Sequence, residues 1–198
     1  MPLSSSAVAL AAVLTLWGNG VYALRTLRGE VHPNPVTWLL WALVPGVAFA
    51  AEIAHHAGLP ALTTLSAGLG PLLVFLCALR RPGFRRTRLT FAELCCAALS
   101  VGALVGWWVT TNPDIGLALS ILADGCAAAP TVVKCRRHPE TEDRTAYAFV
   151  GLGAALTLAT LPAWSFTAAG FACYLLALSS ILLVLLRRQP RRTLSFRS

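Results

Sequence analysis

From Thr145 to Leu186 the chain runs 42 residues without a Lys, Arg, His, Asp or Glu. As a single helix this run would extend roughly 63 Å at about 1.5 Å per residue, about twice the hydrocarbon thickness of a bilayer. It therefore has to fold back. The corner is "ATLPAWS", Ala159–Ser165, where Pro162 removes a helical donor and Trp164 suits a membrane interface. Two antiparallel apolar helices are expected, near 145–161 and 165–186.

The same criterion finds further segments. Met1–Leu24, Pro35–Ala51, Ala57–Leu79 and Leu94–Asn112 are apolar, and Ile115–Val133 is interrupted only by Asp124. Spans are expected near 6–27, 35–55, 59–79, 90–110 and 113–135, seven with the final pair. At 57% hydrophobic and 12% charged residues, with a mean hydropathy of +0.69, the chain lies outside the usual composition of a soluble domain. The fold class expected is an all-α membrane protein with seven transmembrane helices.

The charges test the span count independently. Arg25 and Arg28 fall in the first connection, and Arg80, Arg81, Arg85, Arg86 and Arg88 in the third. Lys134, Arg136, Arg137 and Arg144 fall in the fifth, and Arg187, Arg188, Arg191, Arg192 and Arg197 in the tail. With seven spans all sixteen share one side, which the positive-inside rule makes cytoplasmic, with the N-terminus outside. The net charge of +8 then points to anionic lipid headgroups at the cytoplasmic face, and not to nucleic acid. The N-terminal segment lacks the basic n-region of a signal peptide, since its first positive charge, Arg25, follows the apolar run. Ala-, Leu- and Arg-rich usage suggests a bacterial inner (plasma) membrane, crossed in multiple passes. The six cysteines form no CxxC pair and read as small packing residues.

Seven spans divide as three, one, three: residues 1–81, an inverting unit at 82–111 with its basic loop, residues 112–187, and a basic tail at 188–198. Asn19-Gly20 in "NGVYALRTLRGEVHPNP" answers Asp124-Gly125 in "DGCAAAPTVVKCRRHPET", and His32-Pro33 answers His138-Pro139. "AGL" (Ala67–Leu69) answers "AGF" (Ala169–Phe171). The triplets would be parallel repeats linked by the fourth span. Asn34-Pro35 and Asn112-Pro113 place a capping side chain before a proline at a helix start. Pro45 and Pro130 lie inside helices, where each frees a carbonyl.

Asp124 is the residue that most needs explaining. An ionised Asp at mid-membrane costs about 2.5–3.5 kcal/mol, so it should face the bundle interior, a partner or a wet cavity. All sixteen basic residues lie at cytoplasmic ends, so no intramembrane cation can neutralise it. It is a candidate substrate or proton site with Asn19 and Trp17, or else a helix-bonding group that reaches Asn19. Gly20, Gly125, Pro130 and Thr131 are hinge or gate candidates. Trp38 and Trp41 are expected at the cytoplasmic interface, and Trp107, Trp108 and Trp164 at the outer one. Glu52, His55 and His56 in "EIAHH" approach helical spacing, but no external loop offers another His or Cys to complete a metal site, and they read as an interfacial helix end. Glu140, Glu142 and Asp143, among Arg136, Arg137 and Arg144, are expected in a solvated, self-neutralised loop.

"PTVVKCRRHPETED", after an uncharged helix, resembles the proline-glutamine loop of the PQ-loop superfamily, which includes the SWEET sugar transporters. Pro130 matches the proline, Thr131 stands where glutamine is usual, and Lys134, Arg136 and Arg137 match the basic turn. The first triplet has Leu24-Arg25 at the aligned pair. "HPNPVTWLLWAL", "ILADGCAAAPTVVKCRRHPETED" and "WSFTAAGFACYLLAL" are also similar to an uncharacterised bacterial branch of about this length. The resemblance implies a carrier for a small polar solute, with a proton as candidate co-substrate, working by alternating access around a midplane site. The missing glutamine keeps a second reading open: a non-transporting assembly partner or lipid-binding scaffold with the same fold. No cofactor is implied, and no nucleotide loop or catalytic set suggests an enzyme. The only lysine, Lys134, sits at a cytoplasmic end, which excludes a mid-membrane retinal Schiff base. Two triplets in one chain suffice for a pathway, and a homo-oligomer stays open.

Overall fold

The computed structural model describes residues 3–54, 61–81, 90–110, 112–161 and 164–187. These residues form α1 (Leu3–Arg28), α2 (Pro35–Ala54), α3 (Ala61–Leu79), α4 (Phe91–Val109), α5 (Pro113–Arg137), α6 (Arg144–Ala159) and α7 (Phe166–Leu186). A 3-10 turn occupies Pro139–Thr141, and the described residues contain no strand. Each helix lies where an apolar stretch predicts one.

Local chemistry fixes the helix ends. Asn34 Oδ1 accepts from the Val36 and Thr37 amides at 3.0 and 3.2 Å, capping α2. Asn112 Oδ1 does the same for Asp114 and Ile115 at the start of α5. Thr90 and Glu93 close a reciprocal capping box at α4, with each side chain accepting from the other's amide. Asp143 caps α6 and Ser165 caps α7. At the end of α1, Gly29 adopts φ +80°, the Glu30 amide donates to Arg25 and the Gly29 amide to Thr26. That paired arrangement requires a left-handed residue at Gly29.

Six helices pack in a closed ring, in the order α1–α3–α2–α5–α7–α6 and back to α1. Helix α4 lies outside the ring, mainly against α5. Replacing each of α1, α2 and α3 by the helix four places on, and the reverse, leaves the ring order unchanged. Close approach relies on small residues at the α1–α6 contact: a Cβ on Gly18 would come within 2.8 Å of Phe149 Cβ.

Interhelical bonds gather alternate helix ends together. His32 N–H donates to Thr141 O at 2.8 Å, Arg81 donates to Val31 O at 2.9 Å, and Asn34 Nδ2 donates to Glu93 Oε1 at 2.6 Å. Leu186, just before Arg187, packs with Cys135 and Tyr147. The described Lys and Arg residues thus share one end of the bundle.

Alongside a mostly apolar core, several polar side chains are buried and many large apolar ones are exposed. Asn19, Thr37, Ser100, Asp124, Thr131 and Glu142 are buried, while Leu10, Val13, Leu73, Leu99, Leu122 and Val184 are exposed. The helical stretches 114–137 and 168–186 are long and apolar enough to cross a membrane, and shorter apolar helical stretches lie at 35–46, 67–79, 91–102 and 144–159.

Two sequence expectations are corrected here. Glu142 and Asp143 are not in a solvated loop but buried, because tyrosine, lysine and arginine partners from three helices converge on them. Trp38 and Trp41 do not point outward as belt residues would. Trp38 is in the core, stacked on Tyr22 at 4.5 Å between centroids, and Trp41 meets it edge-on at 5.4 Å. At the opposite end Trp108 and Trp164 are exposed, as a membrane belt would have them. The Pro162 corner, His55, His56, the basic residues of 82–89 and the 188–198 tail lie outside the described residues.

Candidate functional site

The ring encloses a cavity of ≈ 120 Å³ to which all six of its helices contribute and α4 does not. From α1 come Thr15 and Asn19, from α2 Trp38, Trp41 and Pro45, and from α3 Ala67 and Pro71. Helix α5 gives Asp124, α6 gives Ala146, Tyr147 and Val150, and α7 gives Phe171, Leu175, Leu178, Ser179 and Leu182. The volume is well below the ~300–1,000 Å³ of pockets that take drug-sized ligands.

Asp124 faces inward and is 9% exposed. Its Oδ2 accepts a 2.6 Å hydrogen bond from Tyr174 O–H, fifty residues on in α7. The buried Trp41 N–H also faces this carboxylate without closing a hydrogen bond of good geometry. Among the described residues no Lys, Arg or His pairs with Asp124. The helix-bonding alternative took Asn19 as its partner, but Asn19 donates to Thr15 O at 3.0 Å within α1. Asn19 lies instead against α3, where a Cβ on Gly70 would come within 2.5 Å of its Nδ2.

The other sequence candidates divide. Trp17 is 64% exposed on the outside of α1 and does not line the cavity; it is two residues from Asn19, and so projects from another face of the helix. Gly125 faces α7, with Tyr174 in ordinary contact distance, whereas nothing approaches Gly20. Thr131 is fully buried and donates to the Thr37 hydroxyl at 2.9 Å, linking α5 to α2. Pro130 is half-buried inside α5.

Sequence reasoning missed Tyr174, Pro71 and the role of Trp41. Pro71 was readable as a third mid-helix proline beside Pro45 and Pro130. Pro45 and Pro71 each remove the amide that would bond the carbonyl four residues earlier, which frees Trp41 O and Ala67 O, both in residues that line the cavity. Nothing in the local sequence marked Tyr174 as a partner of Asp124.

Trp38 and Tyr147 line the cavity, and both pack against the ring of Tyr22. Glu142 Oε2 accepts from Tyr22 O–H at 2.7 Å and Tyr147 O–H at 2.8 Å, and Oε1 pairs with Lys134 Nζ at 2.6 Å. Lys134 also donates to His32 O. Arg25 pairs with Asp143 Oδ1 at 2.7 Å. One carboxylate thereby joins α1, α5 and α6 below the cavity. Among the described residues no three His, Cys, Asp or Glu side chains come together as a metal site. No protein-family model, curated protein or solved structure matches the chain at a significant level.

Proposed function

We propose that the chain is a seven-span membrane carrier of the PQ-loop and SWEET-like type, moving a small solute by alternating access between its two three-helix units. The observation that carries this reading is the central cavity. It is bounded by both units, small, largely apolar, and holds a buried carboxylate with no cationic partner. A membrane protein retains such a group at an energetic cost, and a solute or proton site is the usual return on it.

Further support comes from the packing order, which maps onto itself when the first three helices are exchanged for the last three. The apolar outer surface and the single basic end favour a bilayer with anionic headgroups on that side. Rocking of one unit against the other would require the Glu142 junction and the Thr131–Thr37 bond to open on the basic side. Gly125 and Pro130, within two turns of each other in α5, would supply the hinge.

The test is solute flux in liposomes containing the purified protein, compared between wild type and Asp124→Asn. Flux that falls at least about tenfold in the mutant supports the carrier. Unchanged flux removes Asp124 from the mechanism. A membrane-impermeant thiol reagent provides a second readout at Cys126, which is half-buried and within a turn of Asp124. If that reagent reaches Cys126 from neither side under any condition, the scaffold reading takes over.

A further inference from the structure

The bonding state of the cavity wall narrows the solute class, on the reading that the cavity is a solute site. Several of its hydrogen-bond donors are engaged within the protein. Thr15 Oγ1 donates to Ala11 O at 3.0 Å, Asn19 Nδ2 to Thr15 O, Tyr147 O–H to Glu142 and Tyr174 O–H to Asp124. The buried Trp41 and Trp38 N–H groups close no hydrogen bond, Trp41 lying toward Asp124 and Trp38 beside Tyr22. The one carboxylate in this largely apolar wall is Asp124, and among the described residues no cation balances it. The wall holds no Lys, Arg or His among the described residues.

We infer that the site takes a small organic cation, a primary or quaternary amine, with its charged head at Asp124 and its apolar part against Trp41 and Phe171. An ammonium group brings the positive charge that the Asp124 carboxylate lacks, and a primary amine adds donors for its oxygens. Indole and phenyl rings add attraction to a desolvated cation and cover its alkyl part. A polyol brings no charge to balance Asp124, and a largely apolar wall would leave most of its hydroxyls without partners. An anion would meet Asp124 with no compensating cation. The ≈ 120 Å³ volume restricts the occupant to a few heavy atoms.

The experiment uses the full-length protein in detergent, titrated by tryptophan fluorescence with tetramethylammonium, choline and n-butylammonium. Glucose and 3,3-dimethylbutan-1-ol, the uncharged isostere of choline, are titrated alongside. Counterflow of labelled choline and glucose is measured in liposomes. The expected result is saturable binding of at least one ammonium probe, with choline preferred over its isostere by at least about tenfold. Binding should be lost in a monodisperse Asp124→Asn. Tyr174→Phe, which keeps the charge, should retain the preference. The wild-type choline-to-isostere ratio decides the matter even if a variant fails to fold. Equal binding of the isostere, absence of all ammonium binding, or full binding by Asp124→Asn overturns the assignment. Glucose counterflow without ammonium binding overturns the cation class and leaves the carrier standing. Ammonium binding without counterflow of any probe keeps the class and overturns the carrier.

Discussion

Glu142 offers the sharpest test of how the bundle is held together at its basic end. The carboxylate side chain is wholly buried and accepts from two buried phenols and from Lys134. Glu142→Ala strands both phenol O–H groups, at about 1–3 kcal/mol each. Lys134 loses its ion pair but keeps the His32 carbonyl, and at 19% side-chain exposure part of its charge is solvated, so its share is smaller. The total is about 3 kcal/mol, which for a chain of this length lowers the melting temperature by about 6–12 °C. The assay is thermal unfolding of the purified protein in mild detergent, arranged as a double-mutant cycle with Tyr147→Phe. With Glu142 present, losing the Tyr147 hydroxyl costs about 1.5–3 kcal/mol, the value of a hydrogen bond to a charged group. In the Glu142→Ala background the hydroxyl has no acceptor, so its removal is neutral or stabilising. A coupling of at least about 1.5 kcal/mol is therefore expected. Additivity within about 0.5 kcal/mol would refute the reasoning, since independent sites add to that precision.

Gly70→Ala forces a methyl group into Asn19 and should destabilise by about 1–3 kcal/mol while reducing flux, measured by melting temperature and liposome uptake. Gly20→Ala meets no neighbour and should stabilise α1 by about 0.5–1 kcal/mol; a fall in flux with unchanged or raised stability would instead mark Gly20 as a hinge. Thr131→Val and Thr37→Val should each cost about 0.5–1.5 kcal/mol in chemical unfolding, and the double variant should recover part of the sum. Trp17→Leu should leave solute binding unchanged, whereas Trp41→Leu should weaken it; equal losses in fluorescence titration would return Trp17 to the site.

The amino-acid sequence alone determined where the helices lie. Apolar length, the Asn34 and Asn112 caps, and the prolines that follow them are local signals, and each acts through its own few residues. It also determined that a lone carboxylate at position 124 had to be explained, because charge in an apolar stretch has a cost wherever the stretch packs. Which faces meet was a different matter. In helices that are apolar all round, periodicity does not distinguish an inward side from an outward one. Trp17 was thus expected at the site and Trp41 at the interface, and the ring places them the other way round. Ring closure placed Tyr174 on Asp124 across fifty residues, set Asn19 against Gly70, and drew Glu142 from an apparently solvated loop into a buried junction. These are long-range pairings selected by shape and by the need to satisfy buried polar groups, and only the packed tertiary structure decides them.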